Sequence, residues 1–242
     1  NGNAFTVSGN DHFMNGFPTG DPAKALAGLA TTTSDPPGTN YDALMAQIRL
    51  ENYDQIEGAG GTPAVGEVEA FDLNQIAEQF LIAETQDLAP GTYTGLNIAS
   101  LTPGNVVVTH VAGDLRLSGS GEGSGVLIVD GDLRVSGSFE FTGLVIVRGD
   151  MRAVGGGSGI HVIGGVMIGE PVDAQTPSEM KIAGNADFVY SSEVMDIIQG
   201  VLNDNPTYEG VYYDENRNPG TPGTPQETPQ ETTQDPAPQP AE

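Results

Sequence analysis

A four-residue motif recurs three times at a fixed interval, and that interval limits what the chain can fold into. Gly113-Asp114-Leu115-Arg116, Gly131-Asp132-Leu133-Arg134 and Gly149-Asp150-Met151-Arg152 are spaced 18 residues apart. The apolar runs Val126-Leu127-Ile128-Val129 and Leu144-Val145-Ile146-Val147 are also 18 apart, and Ser- and Gly-rich turns separate them from the motifs. So short a unit has no room for a helix packed on a strand. It can form one coil of a solenoid, in which each strand pairs in parallel with the same strand one coil later. The spacing therefore predicts a mainly β fold: a short, parallel, right-handed β-helix of 18-residue coils, flanked by a few α-helices. Gly165-Val166-Met167-Ile168-Gly169 lies 22 residues after Gly143. Four extra residues are therefore expected in the last coil, bulging outward at the Gly155 to Gly159 turn.

Alternation within the motifs assigns faces. In Leu115-Arg116-Leu117 and Leu133-Arg134-Val135 the apolar residues point inward, so Arg116, Arg134 and Arg152 are expected as an outer ladder. Asp114, Asp132 and Asp150 fall on the same outer side. Two columns of opposite sign, with rungs about 4.8 Å apart, compensate each other, each exposed pair contributing at most about 1 kcal/mol. The same six residues are the candidate binding surface, a flat charged face for an anionic polymer or a partner protein.

The runs at 126–129 and 144–147 are apolar at every position, which is the signature of strands buried on both faces. Something must cover their outer side. Three segments read as helices able to do so: Tyr41 to Glu51, Leu73 to Glu84 and Ser191 to Leu202. Tyr41, Leu44, Met45 and Ile48 form one stripe, and Leu73, Ile76, Phe80 and Leu81 another. Ser191, Ser192 and Glu193 suit a helix start, with an acid near its positive end.

The organisation expected along the chain has four parts. Residues 1–85 are a loop-rich and helical segment packing on the solenoid, and 86–190 are the β-helix. Residues 191–215 are a C-terminal helix and closing segment. Residues 216–242, rich in Pro, Thr, Gln and Glu, form an acidic tail too poor in apolar residues to offset its ordering entropy.

Charge narrows the function classes. Eight basic against 33 acidic residues give a net charge of −25, a field that repels phosphate backbones, so no nucleic-acid partner is expected. The absence of cysteine excludes thiol redox chemistry and Cys-based zinc sites. No apolar run approaches the roughly 18 residues of a membrane span. The chain begins with Asn and carries no leader-like segment, so it reads as a processed product or as a piece of something longer.

Motifs for chemistry are sparse. His12, His110 and His161 are scattered, and no zinc-protease, P-loop or nucleophile-elbow signature is present. No catalytic residue, metal ligand or cofactor is assigned. His161 lies in the last coil, and some sugar-active β-helix enzymes place His, Asp and Arg along a groove on the solenoid, so a secreted polysaccharide lyase or hydrolase is the enzymatic alternative. A self-assembling or adhesive solenoid is the other. Asp130-Gly131-Asp132 has a spacing found in calcium loops, which leaves calcium as the one cofactor open to this chain, although the further ligands of an EF-hand are missing. Ser8-Gly9-Asn10-Asp11-His12 is an oxygen-rich loop.

Several ordered motifs together resemble one family. GVLIVDGDLRVSGSFEFTGLVIVRGDM at 125–151, GGGSGIHVIGGVMIG at 155–169 and GNADFVYSSEVM at 184–195 resemble bacterial PilX-type pilus assembly proteins, which are pilin-like envelope proteins. FTVSGNDH at 5–12 and GGTPAVGEV at 60–68 are similar to the same group. The resemblance implies a non-enzymatic structural or assembly role as a soluble ectodomain, extracellular or periplasmic. It also implies pilus or secretion-machinery partners and a native N-terminal membrane helix missing from this fragment. It carries over no catalytic residues.

Overall fold

Alternating apolar residues broken by glycine give this chain long parallel strands instead of hairpins. The computed structural model describes residues 5–98, 101–169 and 178–203. The elements begin with β1 (Phe5–Ser8), β2 (Leu29–Thr32), α1 (Thr39–Gln47), β3 (Ile56–Glu57) and β4 (Val65–Val68). Next come α2 (Leu73–Leu81), β5 (Gln86–Asp87), β6 (Gly91–Thr94), β7 (Asn97–Ile98), β8 (Leu101–Thr102) and β9 (Asn105–Val106). The series ends with β10 (Val108–Val111), β11 (Leu115–Val129), β12 (Leu133–Val147), β13 (Met151–Ile168), β14 (Met180–Tyr190) and α3 (Ser192–Asn203).

The protein is mainly β, dominated by a ten-stranded sheet in the order β3-β1-β14-β13-β12-β11-β10-β5, with β6 and β7 also pairing β11. Every pairing in it is parallel. Short β2 and β4 form a separate parallel pair, and β8 and β9 an antiparallel one.

Register follows the repeat. Leu115 faces Leu133, Leu133 faces Met151, and Met151 faces Met180, so each motif position stacks on its own copy. The insertion falls where the spacing placed it but is one residue shorter. Gly137 faces Gly155, pairing resumes with Phe139 opposite Ile160, and Gly164 stacks on Gly143. Three residues are therefore inserted, not four. Two adjacent glycines, Gly164 and Gly165, offer alternative matches to Gly143, and only the first has the positive φ that this position shares.

Complementary side chains explain why one repeat is glycine-rich where the next is aromatic. Gly121 faces Phe139 and Gly123 faces Phe141. A Cβ on Gly123 would sit 2.8 Å from the Phe141 ring, so the bare backbone makes room for it. Phe139 and Phe141 stack with centroids 6.1 Å apart inside a core shared with Leu115, Leu117, Leu133, Val135 and Met151.

The all-apolar runs are buried on both faces. Leu127, Val129, Val145 and Val147 join that first core. Val126, Ile128, Leu144 and Ile146 turn outward into a second core with Leu73, Ala77 and Phe80 of α2 and Val194 and Ile198 of α3. Covering each of these outer side chains contributes about 1.5–3 kcal/mol relative to leaving it in water. The third helix works elsewhere: Tyr41, Leu44 and Met45 of α1, with Ile48 just beyond it, pack on the first core. All three helices lie within a few residues of the segments their stripes marked. The Asp72 carboxylate caps α2, accepting from Asn74 N and Gln75 N at 2.9 and 3.2 Å, and Ser191 Oγ accepts from Val194 N in α3.

The N-terminal segment also supplies strands to the sheet. β1 pairs with β14, Phe5 opposite Ala186 through Ser8 opposite Val189, and β3 pairs with β1. Residues 204–215 and the tail at 216–242 lie outside the described residues.

Candidate functional site

The sheet turns the repeat into columns of like side chains. Thr92, Arg116, Arg134, Arg152 and Lys181 face one another in succession across β6, β11, β12, β13 and β14. The chain has only eight Lys and Arg residues, so half of its cations stand in this one exposed column. Lys181 was not foreseen, because its repeat follows the insertion and a further intervening segment and lacks the Gly-Asp pair. The triplet Met180-Lys181-Ile182, which echoes Leu115-Arg116-Leu117, was its signal.

Asp114, Asp132 and Asp150 have a backbone role. Asp114 Oδ1 accepts from Asp132 N at 2.9 Å, Asp132 Oδ1 from Asp150 N at 3.1 Å, and Asp150 Oδ1 from Glu179 N at 2.9 Å. Each carboxylate thus caps the turn of the next repeat through a charge-assisted bond. Compensation of the arginines is correspondingly incomplete. Arg134 pairs with Asp132 at 3.2 Å, and Lys181 with Glu179 at 2.6 Å. The Lys181 hydrogen bond and charge hold the Glu179 carboxyl below the usual range. Among the described residues, Arg116 and Arg152 make no ion pair or hydrogen bond through their guanidinium groups.

Cations stacked about 4.8 Å apart repel by about 1 kcal/mol per neighbouring pair at the dielectric of water. An incoming row of carboxylates relieves that repulsion, and guanidinium forks suit two-point contact with each. Shallow grooves flank the column. One of about 410 Å³ is lined by Asp114, Arg116, Asp132 and Arg134 among others. A second, of about 150 Å³, is lined by Asp150, Arg152 and Lys181 among others.

A second column, of Glu122, Glu140, His161 and Asp187, crosses the same strands. His161 Nδ1 lies 3.1 Å from Asp187 Oδ2, and its Nε2 lies 2.9 Å from the Ser158 carbonyl. The ring ties the inserted loop to β14. In the N-terminal loop, Asp11 is 2% exposed. Asp11 Oδ1 accepts from Ser192 N at 2.7 Å and its Oδ2 from Thr19 Oγ1 at 3.1 Å. Burial pushes this carboxyl up, but the Ser192 amide and hydroxyl, Thr19 and Lys24 pull it further the other way, so the net shift is downward. The loop is a clamp on the start of α3.

A third cluster escaped the sequence altogether. His110 occupies the column position of Ile128, Ile146 and Met167, beside the turn that follows α2. Its Nε2 lies 2.9 Å from Asp130 Oδ2, and its Nδ1 lies 3.7 Å from both Glu84 Oε2 and Asp87 Oδ1. Asp130 Oδ1 also holds Arg148 at 3.2 Å, and Arg148 Nη2 donates to the Asn74 carbonyl of α2 at 3.3 Å. Asp130 and Asp132, the pair with calcium-loop spacing, therefore serve different partners. A histidine where the following repeats carry Ile128, Ile146 and Met167 was the signal for this cluster.

Compared with protein-family models, curated proteins and solved structures, the chain matches none. Among the described residues, no helix is long and apolar enough to cross a membrane.

Proposed function

We propose that this protein is a non-enzymatic structural or assembly component of the bacterial cell envelope, exposed outside the cytoplasm, and that its basic column docks a pilus or secretion-filament partner. The observation that carries this reading is the in-register stack of Arg116, Arg134, Arg152 and Lys181 in a chain of net charge −25. An acidic protein gathers half its cations on one flat face where that face meets ordered negative groups. The overall field disfavours a long polyanion and favours a protein presenting carboxylates at matching intervals.

In this reading the sheet is a β-solenoid. A 15-residue strand such as β11, laid straight, runs about 50 Å. The three residues 130–132 that link it to β12 span at most about 11 Å. Parallel pairing of Leu115 with Leu133 then requires the strand to fold back within each repeat, and Gly119, Gly125, Gly137 and Gly143, all at positive φ, provide corners. A rigid scaffold with corners fixed by stacked glycines holds a charge array at constant spacing. The resemblance of residues 5–12, 60–68, 125–151, 155–169 and 184–195 to PilX-type pilus assembly proteins supports the same role.

The test is fractionation of the protein from the cells that make it, together with incubation against uronate and neutral glycans with and without calcium. Recovery with sheared filaments and no glycan product is expected. Product formation, or a protein that never tracks with filaments, overturns the reading.

A further inference from the structure

We infer that Glu84, Asp87 and His110 form a binding site for a divalent transition ion of the zinc type. The argument starts from the proton on His110. Asp130 presents only acceptor oxygens, so the 2.9 Å contact requires Nε2 to carry the hydrogen. Nδ1 then faces the Glu84 and Asp87 carboxylates, 3.7 Å from each, and is the nitrogen that would bind a cation, releasing any proton it carries. That separation is too long for a hydrogen bond. Two carboxylate oxygens and one imidazole nitrogen thus lie within 4.8 Å of one another.

The separations, 3.7 Å from the imidazole nitrogen to each carboxylate and at most 4.8 Å overall, need only a small contraction to fit a shared cation. Ligands about 2.0–2.2 Å from a tetrahedral ion lie about 3.3–3.6 Å from one another. The three ligand atoms here fall within 4.8 Å of one another. Asp130 plays the part that an outer carboxylate plays for a metal-bound imidazole, fixing the tautomer and orienting the ring. The histidine sets this site apart from an ordinary group of surface acids, since its side chain is 15% exposed and held on its far side by a carboxylate itself anchored to Arg148.

The backbone already positions the donors. Asp87 faces His110 across the β5–β10 pair, and Leu88 N donates to the His110 carbonyl at 2.8 Å. Glu84 lies in the turn after α2, and the next residue, Thr85, bonds to Val108 through its amide. An imidazole with two carboxylates selects a borderline ion over calcium, which prefers oxygen alone. A fourth position stays open to water or a partner's side chain.

The test is calorimetric titration of the full chain with zinc, after chelator treatment and dialysis at pH 7.5, with calcium as comparator and thermal melting as a second readout. One zinc per chain at micromolar affinity, a melting point that rises with zinc, and calcium at least tenfold weaker are expected. Glu84→Gln and His110→Gln should each weaken zinc at least about tenfold, and Asp130→Asn about 10- to 100-fold. Glu84 is partly exposed, so its variant keeps the test valid if a change at His110 disturbs folding. No saturable zinc binding, or zinc affinity unchanged in Glu84→Gln, overturns the proposal. So does a His110 Nδ1 that still carries a proton by nitrogen NMR with zinc in excess.

Discussion

Replacing Gly143 by alanine tests the stacking register where the backbones of neighbouring strands approach closely. Gly125, Gly143 and Gly164 face one another across β11, β12 and β13, all at positive φ, with Gly143 at +154°. A Cβ at Gly143 would fall onto the carbonyl oxygen of Gly125, with that residue's carbonyl carbon and amide nitrogen both at 2.9 Å. Nothing flexible is there to move, since the obstacle is the backbone of the neighbouring strand. Overpacking costs about 1–3 kcal/mol, and the backbone conformation about 1–2 more. Gly143→Ala should therefore lose about 2–5 kcal/mol, read in urea as a midpoint lower by about 1 M or more with the slope unchanged. Gly156, in the insertion, is the control: its nearest such neighbour is Gly137 Cα at 3.9 Å, and its φ is not positive. Gly156→Ala should stay within about 0.5 kcal/mol of the parent. A loss below about 1 kcal/mol in Gly143→Ala, or equal losses in both variants, would refute the register argument.

Other changes have opposite signs. Gly200 lies inside α3 with open space around it, so Gly200→Ala should stabilise by about 1 kcal/mol and raise the melting temperature by about 2–4 °C. Asp11 has a folded pKa below its ordinary 3.8. Its contribution is therefore complete above pH 3.8 and lost as pH falls through the lower, folded value. Asp11→Asn should cost about 1.5–3 kcal/mol at neutral pH and flatten the acid limb of a stability profile below pH 3.8. Identical acid limbs in parent and variant would remove the clamp from the account.

Legibility in the sequence followed the range of the signal. The 18-residue repeat, the doubly buried runs and the three helices rest on local periodicity, and each appears in the structure close to where the pattern put it. The insertion was misjudged by one residue because adjacent glycines look alike until backbone conformation separates them. Pairing of β1 with β14 joins residues some 180 apart through a four-residue strand with no repeat signature, so nothing local announced it. The Asp residues were read by charge, while their work is on backbone amides across repeats. His110 lay one repeat before the recognised motifs, and its partners come from positions 84, 87 and 130, which only the stacked register brings together.

The central claim is that the stacked cations form the docking face, and binding of the purified protein to sheared filaments tests it most directly. The triple variant Arg116→Ser, Arg134→Ser, Arg152→Ser changes only exposed side chains, so its circular dichroism and melting should match the parent. The account predicts at least a tenfold loss of affinity in that variant, and a smaller loss when the same three positions carry lysine, which keeps the charge but not the two-point contact. Filament binding equal to the parent's in the serine variant would contradict it.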